Sequence, residues 1–418
     1  MTPTHHGVPR AAAALAVLAA LAVTATGCAG DTGSGDPDGA ADTGETTPHG
    51  YVEGAEEAAE QQSRLVLADP ETGAVRVLDL ITGESHPLDD VPGTTSLRTD
   101  GRFAHLHTDA ATHLLDSGAW TVDHGDHVHY YRAAVRELGA VPADGPGAVR
   151  ADARLLAVTD TSVDGPRDAL LFARDSLESP ETEAIPDGTR LAGPFAGPVI
   201  PYAEHLIAPD GGDGPASVGV HTRDGERVDT LEPPCEDPHG DAVTRRGVVL
   251  GCADGALLVT EDDGVFHAEK IPYGDAVPAA ERAREFRGRP GSTTLTALAG
   301  DEAVWVLDVT ERGWTRVETG PVVAVNTAGE GAPLLALTAD GVLEGYDLAD
   351  GTRTTAVELL RVPPESGGRP VIEVDTSRAY VNDPLARTVH EIDYNDDLRI
   401  ARTFELDLAP GHMVETGR

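Results

Sequence analysis

The chain has 418 residues, a formal net charge of -40 with Lys270 as its only lysine, and an aromatic content of 4%. Such an acidic balance argues against nucleic acid or anionic lipid headgroups as partners, because phosphate binding needs clustered cations. It favours divalent cations near the surface, and a core with so few rings must be filled by Val, Leu and Ala.

Taken in order, Arg10 precedes an apolar run from Ala11 to Val23 that is too short to span a bilayer but has the length of a signal-peptide core. The following Ala25-Thr26-Gly27-Cys28 resembles a bacterial lipoprotein box, in which the cysteine is diacylated and becomes the mature N-terminus. Ala25 stands where Leu is usual, so cleavage by ordinary signal peptidase without lipid is the alternative. Two acyl chains on Cys28 would hold the protein stably on a membrane. The next stretch is Gly, Asp, Thr, Pro and Glu with few large apolar residues, and it cannot bury enough surface to offset its ordering entropy. The expected division is therefore a lipoprotein signal peptide over 1–27, a flexible acidic tether over 28–62 and one folded domain over 63–418. His49 reads as an ordinary linker residue.

From Ser63 onward, short β-type runs alternate with Gly, Asp and Pro punctuation. Arg64-Leu65-Val66-Leu67-Ala68 reads as a strand, Asp69-Pro70-Glu71-Thr72-Gly73 as a turn, and Ala74 to Asp79 as a strand again. Comparable units begin near Phe103, Leu155, His205, Val248, Val304, Leu334 and Ala379. A recurrence of this length is that of a four-stranded propeller blade, and a ring of blades also accommodates about 355 residues without one oversized core. The expected fold is all-β, a β-propeller of seven or eight blades; sandwiches stacked in series are the structural alternative. Trp120 and Trp305 adjoin apolar runs and read as core.

The densest chemistry lies in Asp123-His124-Gly125-Asp126-His127-Val128-His129, three imidazoles and two carboxylates in seven positions of a chain with 16 histidines. Zinc takes four ligands in a tetrahedron, drawn from imidazole, thiolate and carboxylate. If the segment is extended, His127, His129 and Tyr131 share a face, and a turn at Gly125 brings His124 back toward them. His124, His127, His129 and Asp126 would then complete a zinc site, with Asp123 and the tyrosine hydroxyls orienting the rings. The competing reading is a solvated acidic loop. His105 and His107 alternate on one strand face upstream; they could extend the site, but a half-exposed strand face is the expectation. With Cys28 assigned to lipid, Cys235 and Cys252 form an even pair in an oxidising compartment and read as a disulfide; Cys235, His239 and Cys252 as metal ligands are the rival.

The run from Asp116 to Arg132 resembles the signature of the periplasmic or extracellular zinc metallochaperones of the Azt type. Pro48 to Glu57, the Cys235 to Gly255 region, Ala379 to Pro384 and His390 to Tyr394 are similar to the same family, so the resemblance spans nearly the whole mature chain. It implies a propeller that passes zinc to the solute-binding protein of a zinc ABC transporter, metal contact from His124, His127 and His129 with Asp126 nearby, and His239 as a candidate fourth ligand. Some members carry a richer N-terminal histidine segment, whereas this chain has only His49 there. The expected protein is an exported zinc-binding metallochaperone, a cell-surface lipoprotein or a periplasmic or extracellular one. A metal-dependent propeller hydrolase and a protein-binding scaffold are the alternatives; neither Gly-x-Ser-x-Gly, His-Glu-x-x-His nor a phosphate-binding glycine loop is present.

Overall fold

The computed structural model describes residues 54–124, 127–142, 147–160, 167–211, 217–360 and 369–418. The signal peptide, Cys28, the tether up to residue 53, His49, Gly125 and Asp126 lie outside them.

Among the described residues, nine antiparallel sheets form: eight follow one another along the chain, seven with four strands and one, Thr294–Ala299 to Gly313–Glu318, with three, and a ninth, three-stranded sheet stands apart from them. Each recurring unit anticipated from the sequence is the second strand of its sheet: Arg64–Ala68, Phe103–His107, Leu155–Asp160, His205–Pro209, Gly247–Cys252, Ala303–Asp308, Leu334–Thr338 and Ala379–Asp383. These strands are buried almost throughout because each is covered by a sheet on either side, whereas the fourth strands are largely exposed.

Closure follows from the core. Leu335 and Leu343 of the seventh sheet pack with Val381 and Ile392 of the eighth. Tyr380 and Val389 of the eighth pack in turn with Leu65 and Leu67 of the first. Val66 and Val77 of the first join Leu106 and Leu115 of the second. Phe103 and Leu114 join Val149 and Leu156 of the third, and the same holds for each later neighbour. Eight sheets with a shared apolar layer at every junction make an eight-bladed propeller, in which no blade needs a large core of its own. The first blade takes its innermost strand, His412–Thr416, from the far end of the domain, pairing Leu65 with Glu415 and Leu67 with Met413.

The turns show why the punctuation was readable. In Asp69-Pro70-Glu71-Thr72-Gly73 the Asp69 carboxylate accepts from the Glu71 and Thr72 amides at 2.9 and 3.1 Å. Gly73 has φ +81° and lies so close to Pro92 that a Cβ would sit 2.7 Å from its Cα. Asp79 and Asp308 cap their own turns in the same way. Trp120 and Trp305 are buried.

Two expectations are corrected here. Order begins before residue 63: Glu56–Ala58 is a strand paired with Val128–Arg132, so the segment just ahead of the first blade is held by backbone hydrogen bonds despite its acidic composition. His105 and His107 are not half-exposed but fully enclosed, since the second strand of a blade has neighbours on both faces.

Candidate metal centre

Between the third strand of the second blade, Ala111–Asp116, and its fourth, Arg136–Pro142, the chain leaves the blade as a hairpin of Ala119–Asp123 and Val128–Arg132. Its base is rigid. Gly118, at φ +68°, approaches the Ala133 carbonyl to a distance no Cβ could share, and the Ala133 amide donates to Gly118 at 2.7 Å. Asp116 is clamped by Arg102 at 3.1 and 2.8 Å and by Arg136 at 2.7 Å. These guanidinium groups hold its carboxyl below the usual range despite the opposing effect of burial, which is the largest single influence on it. The Arg102 guanidinium lies 3.8 Å from the ring centre of Trp120, which stacks on its cross-strand partner Tyr131. The Thr121 hydroxyl donates to the Gly417 carbonyl at 2.8 Å, fastening the hairpin to the strand that closes the ring.

At the tip the His124 amide donates to the His127 carbonyl at 3.0 Å. This brings the imidazoles of His124, His127 and His129 together, with one ring nitrogen from each within 4.8 Å of the others. Their ring centroids are 4.8, 5.4 and 5.0 Å apart, with His124 and His127 stacked and His129 edge-on to both. His124 and His127 are exposed and His129 is half-buried. Period-two alternation places His129 and Tyr131 on one face, their rings 6.2 Å apart.

A further residue enters from the added strand. Glu57 pairs opposite Tyr131 and so shares its face, and its Oε1 lies 2.7 Å from His129 Nδ1. Glu56 holds the neighbouring position through a bidentate pair with Arg132 at 2.9 and 3.0 Å. A carboxylate on Nδ1 fixes the ring's orientation and leaves Nε2 as the nitrogen able to face a metal. Sequence reasoning passed over Glu57 because nothing local shows that residues 56–58 join a hairpin about 70 positions downstream.

Other expected residues fall elsewhere. His239 starts the innermost strand of the fifth blade, opposite Gly251, with its Nδ1 2.5 Å from the Asp237 carbonyl. It is not brought to the three imidazoles, because its turn anchors it beside its own blade. Cys235 and Cys252 are bonded as a disulfide with Cα atoms 5.1 Å apart, so neither thiolate is available to the rival metal reading. His107 Nδ1 is 2.9 Å from the Thr112 hydroxyl, and His105 Nε2 lies 3.8 Å from Asp100. Neither extends the triad.

No family model matches the chain. The chain is similar to the zinc chaperone AztD of Citrobacter koseri, 23% identical over 351 residues that cover 79% of this chain and 81% of the relative. The crystal structure of Citrobacter koseri AztD superposes with a TM-score of 0.69 at 20% identity, covering 85% of this chain and 98% of that one. The structure of apo AztD from the same organism gives the same TM-score and coverage at 18% identity. A dihydro-heme d1 dehydrogenase, NirN, is more distant at TM-score 0.53 and 15% identity, covering 86% of this chain and 76% of its own. The likeness extends over nearly the whole propeller, and the chain is a distant relative of the zinc chaperone AztD.

Proposed function

We propose that the protein is an extracytoplasmic metallochaperone that captures zinc at His124, His127 and His129 and passes it to the solute-binding protein of a zinc ABC transporter. The observation that carries this reading is the convergence of three imidazoles at an exposed hairpin tip on a rigid stem. Likeness to the zinc chaperone AztD supports it, and a disulfide fits an exported protein. Zinc is the cargo.

Zinc–nitrogen bonds of about 2.0–2.1 Å set tetrahedral donors about 3.3 Å apart, so donor nitrogens now within 4.8 Å of one another draw in on loading. Asp126 is the proposed fourth donor, and Glu57 orients His129. Two exposed imidazoles suit ligand exchange, because an incoming receptor imidazole can replace one donor before the others let go. A closed structural site would retain the ion. We further propose that Cys28 carries the lipid anchor and that the acidic stretch behind it serves as tether.

The test begins with mature protein stripped by chelator, which takes up close to one zinc. His124→Ala with His127→Ala abolishes uptake while the circular dichroism and melting temperature stay put. Metal-free receptor then gains zinc faster from loaded protein than from a chelator-buffered pool. Equal rates reduce the protein to a zinc buffer, and wild-type-like uptake by the double variant removes the site altogether.

A further inference from the structure

We propose that the centre of the propeller is a binding site for a small, multiply charged oxyanion of the phosphate or polycarboxylate class, independent of the hairpin. A cavity of about 650 Å³ lies there, lined by residues of the innermost strands of the first, second, sixth, seventh and eighth blades. Five guanidinium groups line it: Arg98 on the second blade, Arg282, Arg284 and Arg287 on the connection from the fifth blade to the sixth, and Arg369 just ahead of the eighth. Two carboxylates, Glu285 and Asp301, share the lining, and Asp237 and Glu373 pair with its Arg282 and Arg287, the latter at 3.8 Å. No hairpin residue takes part.

In a chain of net charge -40 this is an inversion of sign. Converging cations repel one another, and a low-dielectric wall strengthens that repulsion. The resident acids relieve it only in part. Glu285 lies 2.9 Å from Arg98 and 2.6 Å from Arg287. Asp237 pairs with Arg282 at 2.8 Å and reaches Arg284 at 3.7 Å. Arg369 makes no ion pair with another described residue, and Arg282 Nε is buried without a hydrogen-bond partner. Arg98 feels the strain: burial first, and then Arg287 and Arg150, pull its pKa below the ordinary arginine value.

An anion with two or more charges would bond the guanidinium edges that the acids leave open, those of Arg284 and Arg369 among them. Planar forks of this kind recognise phosphate and carboxylate oxygens bidentately. The surrounding acidic surface works against loose anion binding, so any saturable uptake has to come from a local focus of positive charge such as this one.

Calorimetric titration of the metal-free mature protein with inorganic phosphate and, separately, with citrate, in buffer at physiological ionic strength, decides the matter. One-to-one saturation by at least one probe is expected, and the probe that saturates at lower concentration assigns the class. Arg284→Gln with Arg369→Gln should weaken it at least tenfold with zinc uptake unchanged. Should that double variant melt early, Arg369→Gln alone, at an exposed position outside any strand, gives the same reading with a smaller loss. Absence of saturable heat from both probes at millimolar concentration overturns the proposal, as does binding that the variants leave intact. Failure here leaves the zinc reading untouched, because the two sites share no residue.

Discussion

The second blade and the hairpin that grows out of it carry two sets of histidines in opposite environments. His105 and His107 lie on a strand covered on both sides, and burial above all else pushes their pKa values down to about 4 and about 3. They are permanently neutral packing groups near Asp100 and Thr112. About twenty residues later, His124, His127 and His129 stand at the end of a stem and face solvent or one another. His127 and His129 alternate by two just as His105 and His107 do, with His124 three positions ahead of them. What distinguishes the two sets is where each strand lies in the ring, and that decides whether an imidazole is free to reach a ligand or serves as filler.

The largest effects should come from exchanging the two sets. His124→Ala with His127→Ala is expected to remove zinc uptake by orders of magnitude without moving the denaturant midpoint. His105→Asn with His107→Asn should lower that midpoint by several kcal/mol of stability and leave zinc affinity alone. A loss of zinc binding in the buried pair's variant would erase the distinction.

Acid should separate them next. In the unfolded chain both buried imidazoles take up protons near pH 6.5, but in the folded chain only near 4 and 3, so the unfolded state binds more protons in between. Stability therefore falls as pH drops below 6.5, by roughly 3–5 kcal/mol per ring once both values are passed. Glu415 acts oppositely. Burial raises its pKa to about 7, so the folded state keeps a proton that the unfolded chain gives up near 4.5, and stability falls as pH rises across that window, by about 3 kcal/mol. Where the windows overlap, two histidines oppose one carboxyl, and net acid sensitivity is expected. Urea midpoints followed from pH 7 to pH 4 should flatten in His107→Asn and steepen in Glu415→Gln; an unchanged slope in the former would show that its ring titrates normally.

The smallest effect sharpens the exposed set. Glu57→Gln removes the carboxylate charge that faces His129 Nδ1 but keeps the shape, and zinc affinity should weaken by about 10–100-fold while uptake stays at one ion. Competition with a chromophoric chelator measures this. No change would leave Glu57 as a mere edge-strand residue.

Much of the fold was legible, for a definite reason. The blades' second strands are runs such as Leu65-Val66-Leu67-Ala68, several of them followed by Asp and a positive-φ residue such as Gly73, Gly255, Gly341, Arg312 or Arg387, so burial and turn chemistry are both written locally. The convergence of His124, His127 and His129 was legible because these imidazoles share one hairpin. Anything built from distant segments was not. Glu57 meets His129 only through strand pairing across 72 positions, and the arginines of the central cavity are scattered from 98 to 369. Net charge concealed them further, since an average of -40 says nothing about sign reversal at one point. The position of His239 was not legible for a related reason: its Pro-His-Gly-Asp motif is a turn held by Asp237, and no motif specifies which blade it will face.

Because Arg64–Ala68 waits for His412–Thr416 before it has a neighbour on its inner side, synthesis delivers the last piece of the ring some 340 residues after the first. Until then the nascent product is an arc with a naked hydrophobic edge, an invitation to aggregate. A truncation at position 411 would accordingly not produce a slightly smaller propeller. It would leave that arc permanently open and, by removing the Gly417 carbonyl from Thr121, unfasten the hairpin as well.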